Sequence, residues 1–170
     1  DLIPGTISLG YLEKVLCLLL REGVPIRDME TILETLGDHA GALKDIDIVT
    51  EYVRQALKRT ITRRFAEANS LRVITVDPKV EDTIVASVKK SEAGSYLAMD
   101  PDLIQKIVNI TSGEIDKVKD VIPNIIILTS PIVRIYFKKL IDQFIPNITV
   151  LSYSEIDNTA QIQAIGNIAM

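Results

Sequence analysis

The sequence predicts an α+β protein: an N-terminal three-helix subdomain over residues 1–68, followed by a small α/β subdomain with a mixed sheet over residues 69–170. Two observations carry this reading. Near Asn69 the apolar pattern changes from three and four residue steps to short β-branched runs. Three of the later extended runs then end alike, at Asp77-Pro78, Asp100-Pro101 and Ser130-Pro131. The length of 170 residues, with 47% hydrophobic and 25% charged residues, suits a folded globule and excludes a disordered or collagenous chain.

Ser8 stands before Leu9, Leu12, Val15, Leu16, Leu19 and Leu20, whose spacing predicts one apolar helix face. Ser8 is the N-cap of that helix and Gly23 its close. Met29, Ile32, Leu33 and Leu36 repeat the pattern after Gly23-Val24-Pro25, with Asp28 and Glu30 at the positive end of the second helix. A third helix is expected from Asp45 or Asp47 toward Phe65, burying Ile48, Val49, Tyr52, Val53, Leu57 and Ile61.

Beyond the boundary at 67–71, Val73, Ile74 and Val76 read as a strand, and Val80, Ile84, Val85 and Val88 as the helix after it. Tyr96 to Met99 and Ile125 to Leu128 open the next two strand-to-helix units. At each junction Asp or Ser supplies a cap, and proline at the first helical position gives up an N–H that had no partner. After a helix from Val133 to Phe144, two further strands are expected, Thr149-Val150-Leu151 and Gln161 to Ile165. The last alternates polar with apolar, as a sheet face in water requires. In the intervening Leu151 to Ile156 segment, Tyr153 and Ile156 are expected in the core.

The catalytic inventory is sparse. Cys17 cannot form an internal disulfide, and its place in an apolar helical run makes it a packing residue. His39, alone in the chain, is expected to stabilise the last carbonyls of the second helix. Neither a GxxxxGK[ST] nor a GxGxxG loop follows any strand. The carboxylates, among them Glu81-Asp82 and Glu114 to Asp116, fall at caps and on helix faces where solvation accounts for them. No enzyme, metal or cofactor is expected. Opening on Asp1 rather than Met, the chain reads as an excised piece of a longer protein. Its longest apolar run, Val15 to Leu20, is far below the roughly 20 residues of a membrane span, so the piece is expected to be soluble and to carry no secretory signal.

Surface chemistry offers two features. Arg54, Lys58, Arg59, Arg63 and Arg64 form a basic run with no acid among the intervening residues, which suits a solvated helix face or a seam for an acidic partner. The turn Gly23 to Asp28 sets the apolar Val24 and Ile26 beside Arg27 and Asp28, a mixture that suits an interface. A net charge of −4 and a pI near 5.1 argue against nucleic acid as a partner. A DNA-binding regulator with a helix-turn-helix head remains the alternative in another class.

Five blocks carry a resemblance: LGYLEKVLCLLLREGVPIRD from Leu9, METILETLGDH from Met29, KDIDIVTEYVRQALKR from Lys44, VITVDP from Val73 and VLSYSEI from Val150. In this order they resemble the cytoplasmic C-terminal region of the bacterial flagellar type III export gate family, with which proteins of virulence-associated secretion share an architecture. The flagellar branch is favoured. The resemblance implies a membrane-anchored protein at the cytoplasmic face of the bacterial inner membrane, assembled as a nonameric ring. It implies as partners the flagellar export chaperones with cargo, the export ATPase complex and stalk, and the companion switch protein of the gate. It implies docking without covalent chemistry. Pro25 departs from a serine common in the family, which removes one side-chain cap before the second helix. As contact residues the sequence nominates Arg27, Asp28, Arg54, Lys58, Arg59 and Arg63.

Overall fold

The computed structural model describes residues 1–170 and divides them into two compact units. The first comprises Asp1–Ala66 together with Ser154–Asp157, and the second Glu67–Tyr153 with Asn158–Met170. The contiguous 69–170 subdomain read from the sequence thus lacks a four-residue piece, which the chain lends to the helical unit between two strands.

In the helical unit, α1 (Leu9–Arg21) starts at Ser8, whose Oγ accepts the Tyr11 N–H at 3.0 Å. It ends in a Schellman turn: Val24 N–H donates to Leu19 O and Gly23 N–H to Leu20 O, with Gly23 at φ +74. Only Val15 and Leu19 of α1 are fully buried, whereas Leu9 and Leu20 lie on the exposed side. Cys17 is exposed, not in the core. Lying midway between Val15 and Leu19 at about 100° per residue, it turns away from the packed face. α2 (Met29–His39) begins at Asp28 despite the proline upstream. The expected third helix is two: α3 (Ile46–Ala56), packed on α1 and α2, and α4 (Lys58–Phe65), with buried Leu57 at the break. At that joint Leu57 N–H donates to both Val53 O and Arg54 O.

The second unit is built on a four-stranded, wholly parallel sheet ordered β5-β4-β1-β6, from β1 (Ser70–Val76), β4 (Ile126–Thr129), β5 (Thr149–Ser152) and β6 (Gln161–Ile168). Antiparallel pairing occurs in a separate hairpin of β2 (Val88–Ser91) and β3 (Gly94–Leu97). Val88 therefore starts a strand instead of extending α5 (Pro78–Ala86), and Tyr96-Leu97 never joins the main sheet. α6 (Pro101–Val118) lies against β6, and α7 (Pro131–Asp142) against β5 and β4. The core runs through Ile74, Val80, Ile84, Ile107, Ile127, Phe137, Ile141 and Val150. β4 is buried along its whole length, with β5 and β1 on either side, which is why Ile126, Ile127 and Leu128 follow one another without polar alternation. Alternation in β6 does not map onto a buried and a wet face, because Gln161, Ile162, Gln163 and Ala164 are all exposed at this sheet edge.

Two of the three junctions cap as read: Asp77 accepts the Lys79 N–H and Asp100 the Asp102 N–H. At α7 the Ser130 side chain makes no capping bond. Instead Glu81 of α5 accepts the Ser130 N–H at 2.7 Å, which gives this carboxylate a partner that local solvation did not foresee. Glu114 is likewise engaged, accepting the Asn167 N–H at 3.4 Å and pairing with Lys117 at 2.9 Å.

Candidate interaction surface

The nominated turn is assembled by the two helix ends that flank it. The Schellman turn buries Val24 and leaves Pro25 and Ile26 half-buried, while Arg27 and Asp28 are exposed. Asp28 is already occupied as the cap of α2, accepting Thr31 N–H at 3.2 Å and the Thr31 hydroxyl at 2.6 Å. The hydroxyl bond first, and the backbone bond second, hold its carboxyl below the ordinary aspartate range. Arg27, next to it, is the exposed cation of this turn.

The basic run does not form one face. Arg54 lies on the buried side of α3, one turn after Thr50, and is 1% exposed. The expectation that it shares an exposed seam is corrected: its Nε donates to Glu155 Oε2 at 3.0 Å and its Nη2 to Oε1 at 2.8 Å, a bidentate pair. Its Nη1 lies 3.8 Å from Glu22 Oε1. A guanidinium taken out of water is tolerable only with such a partner.

α4 carries the rest. Ile61 and Thr62 face inward, and Lys58, Arg59, Arg63 and Arg64 are exposed on a helix whose sequence, KRTITRRF, holds no acid. The Arg64 guanidinium lies 5.2 Å from the Phe65 ring centre. Arg63 and Arg64 sit in the last turn, where the helix dipole favours cations. Lys58 and Arg59 occupy the first turn, where it disfavours them, and no side chain caps that end. The dipole and capping of α4 therefore do not account for those two cations.

The residues that sequence reasoning missed are Glu155 and Thr62. Glu155, 1% exposed, belongs to a short 3-10 turn (Tyr153–Glu155) after β5. Thr62 Oγ donates to Glu155 O at 3.3 Å and accepts the Asp157 N–H at 2.8 Å. Ile156 is buried as expected, but Tyr153 is exposed. No local signal could have paired Arg54 with a carboxylate 101 positions away.

The other candidates take plain structural places. His39 stacks on Tyr52 of α3 with ring centres 4.3 Å apart and planes 10° from parallel, and Tyr52 is exposed on that side instead of buried. A shallow pocket of about 370 Å³ is lined by Ser8, Tyr11, Lys14 and Lys44. Burial raises the Tyr11 phenol pKa above its ordinary value, and the charge of Asp45 adds to this. No three of the His, Cys, Asp and Glu side chains converge to hold a metal, and no helix is long and apolar enough to cross a membrane.

Comparison with known proteins places this arrangement. The FHIPEP family model matches residues 1–161. Flagellar biosynthesis protein FlhA of Bacillus subtilis is 40% identical over 167 residues, covering 98% of this chain and 25% of its own length. The cryo-EM structure of nonameric EPEC SctV-C superposes with a TM-score of 0.84 at 30% identity, over 96% of this chain and 49% of that one. The Chlamydia pneumoniae CdsV chain, solved in complex with CdsO, gives 0.84 at 35% identity, over 96% and 48%. The chain thus spans about a quarter of the curated relative and about half of each solved chain. Matched by the family model from its first residue and aligned with a flagellar relative along nearly its whole length, the chain belongs to the FHIPEP family, corresponding to the C-terminal cytoplasmic domain of type III export gate proteins.

Proposed function

We propose that this chain is a docking and ring-forming part of a flagellar type III export gate, working at the cytoplasmic face of the bacterial inner membrane without catalysing a reaction. In this reading it helps to receive export chaperones with their cargo, the ATPase complex with its stalk, and the companion switch protein. The observation that carries it is the 40% identity to a flagellar biosynthesis protein across 98% of the chain. Relatives of the same fold support it, one solved as a nonamer and one in complex with a second protein, CdsO.

The contact residues we assign are Arg27 and the outer face of α4, Lys58, Arg59 and Arg63, with Asp28 fixing the turn that carries Arg27. Arg54 is left out, its charge being spent inside the unit. A nonameric ring is closed by one surface meeting a different one on the next copy, so an electropositive face on an acidic chain supplies one of two complementary halves.

The test uses the longer cytoplasmic region carrying Arg27→Glu or Arg59→Glu. Capture of flagellar export chaperones and ring assembly by negative-stain microscopy are compared with the unaltered protein. A clear loss in either assay is expected for at least one variant. Unchanged capture and assembly in both would remove these residues as contacts, and failure of the unaltered protein to capture any chaperone would remove the docking function.

A further inference from the structure

We propose that Ser154–Asp157 is a clip that sets the position of α4, so that occupancy of the basic outer face of α4 by an acidic protein segment and closure of the clip are thermodynamically linked. The second half of this statement rests on the docking role assigned to α4 above.

Three observations converge on it. First, the clip leaves the chain's other unit for only four residues, yet it supplies the carboxylate that takes two hydrogen bonds from a buried arginine. Second, it grips α4 directly, through one hydroxyl used in both directions: Thr62 Oγ donates to Glu155 O and receives Asp157 N–H. Third, α4 is poorly held by its own sequence. It has eight residues, no side-chain N-cap and two cations against the dipole at its start. A helix of this length is not stable on local bonds, so tertiary contacts decide where it sits.

The inner and outer faces of α4 belong to the same rigid backbone of about two turns. Thr62 is bracketed by Arg59 and Arg63, so a displacement at the inner contact moves the outer cations with it. An acidic segment lying along Lys58, Arg59 and Arg63 neutralises the charges that oppose the helix start, and stabilises α4 in the clipped position. By reciprocity, the clip strengthens that segment's binding by the same factor.

The experiment uses the full 170-residue chain with Thr62→Val, which keeps the shape and removes the hydroxyl, and Thr62→Ser, which restores it. Hydrogen exchange is read at Ile61 and Ala66, whose N–H groups bond to Leu57 O and Thr62 O. Exchange about tenfold faster in Thr62→Val is expected, the factor that corresponds to one net hydrogen bond, with β1 and β4 amides unchanged and protection regained in Thr62→Ser. Equal protection in all three proteins overturns the clip. The second reading titrates a poly-glutamate peptide of about 20 residues at low salt, where weakening in Thr62→Val with recovery in Thr62→Ser supports the linkage. Binding that falls with Arg59→Glu but ignores Thr62→Val overturns the linkage and leaves the docking role standing. Binding indifferent to Arg59→Glu removes the docking face itself, whatever the exchange data show.

Discussion

Arg54 and Glu155 illustrate how a single pair changes meaning when solvent is removed. On the surface, an arginine and a glutamate at 2.8 Å would contribute little, but here both are 1% exposed and are joined by two parallel bonds. Truncating one partner strands the other charge. Glu155→Ala is expected to lower unfolding stability by about 3 to 5 kcal/mol in urea titration, against a negligible change for exposed Glu92→Ala. Asp28 behaves differently because it titrates at the surface. Its folded pKa lies below the unfolded one, so its contribution is present above the ordinary aspartate pKa of about 3.9 and is lost as pH falls through the folded value. Asp28→Asn keeps an oxygen for the Thr31 N–H and cannot titrate. The stability difference between the two proteins should therefore shrink as the solution is acidified below that range, as followed by circular dichroism. A difference that grew with acid would contradict the cap geometry.

At the scale of elements, the decisive features sit at helix ends. Gly23 adopts φ +74 to close α1 and lies beside Phe65, whose ring tip would be 3.8 Å from an added Cβ. Space is sufficient, so the cost of Gly23→Ala is the left-handed backbone alone, expected at about 1 to 2 kcal/mol by denaturant midpoint. Glu81 is the second such feature. It holds the N–H at the start of α7 from a neighbouring helix, whereas Asp82 is exposed. Glu81→Ala should cost about 1 to 2 kcal/mol and Asp82→Ala within half of one, a contrast that checks whether the α7 cap is borrowed from α5. Periodicity made the helices legible, since apolar spacing is a property of neighbouring residues. It could not show the break at Leu57, because Val53, Leu57 and Ile61 keep the four-residue spacing of one continuous helix across it.

Across the whole molecule, the helical unit is discontinuous in sequence. Residues 1–66 expressed alone would carry Arg54 without Glu155 and Thr62 without either of its clip bonds. Such a fragment is expected to show helical far-ultraviolet dichroism but weak near-ultraviolet signal and a broad thermal transition, as in a loosely packed state. A sharp transition matching the full chain would show that the clip is dispensable. The candidate contact set illustrates the same limit. Arg27 and the cations of α4 were visible as exposed charge in the sequence, yet nothing in the local pattern distinguished them from Arg54, since burial is set by what the remaining chain brings into reach.

The sequence by itself determined the α+β class, the caps at Ser8, Asp77 and Asp100, and the resemblance that family comparison upheld, because these rest on local periodicity, cap chemistry and contiguous blocks. Only the tertiary structure decided which cations face solvent, how the parallel sheet and the hairpin divide the strands, and where residues 154–157 belong. The physical reason is the same throughout. A buried charge or an unpaired backbone group must find its partner wherever the fold supplies one, and the distance along the chain to that partner leaves no trace in the neighbouring residues.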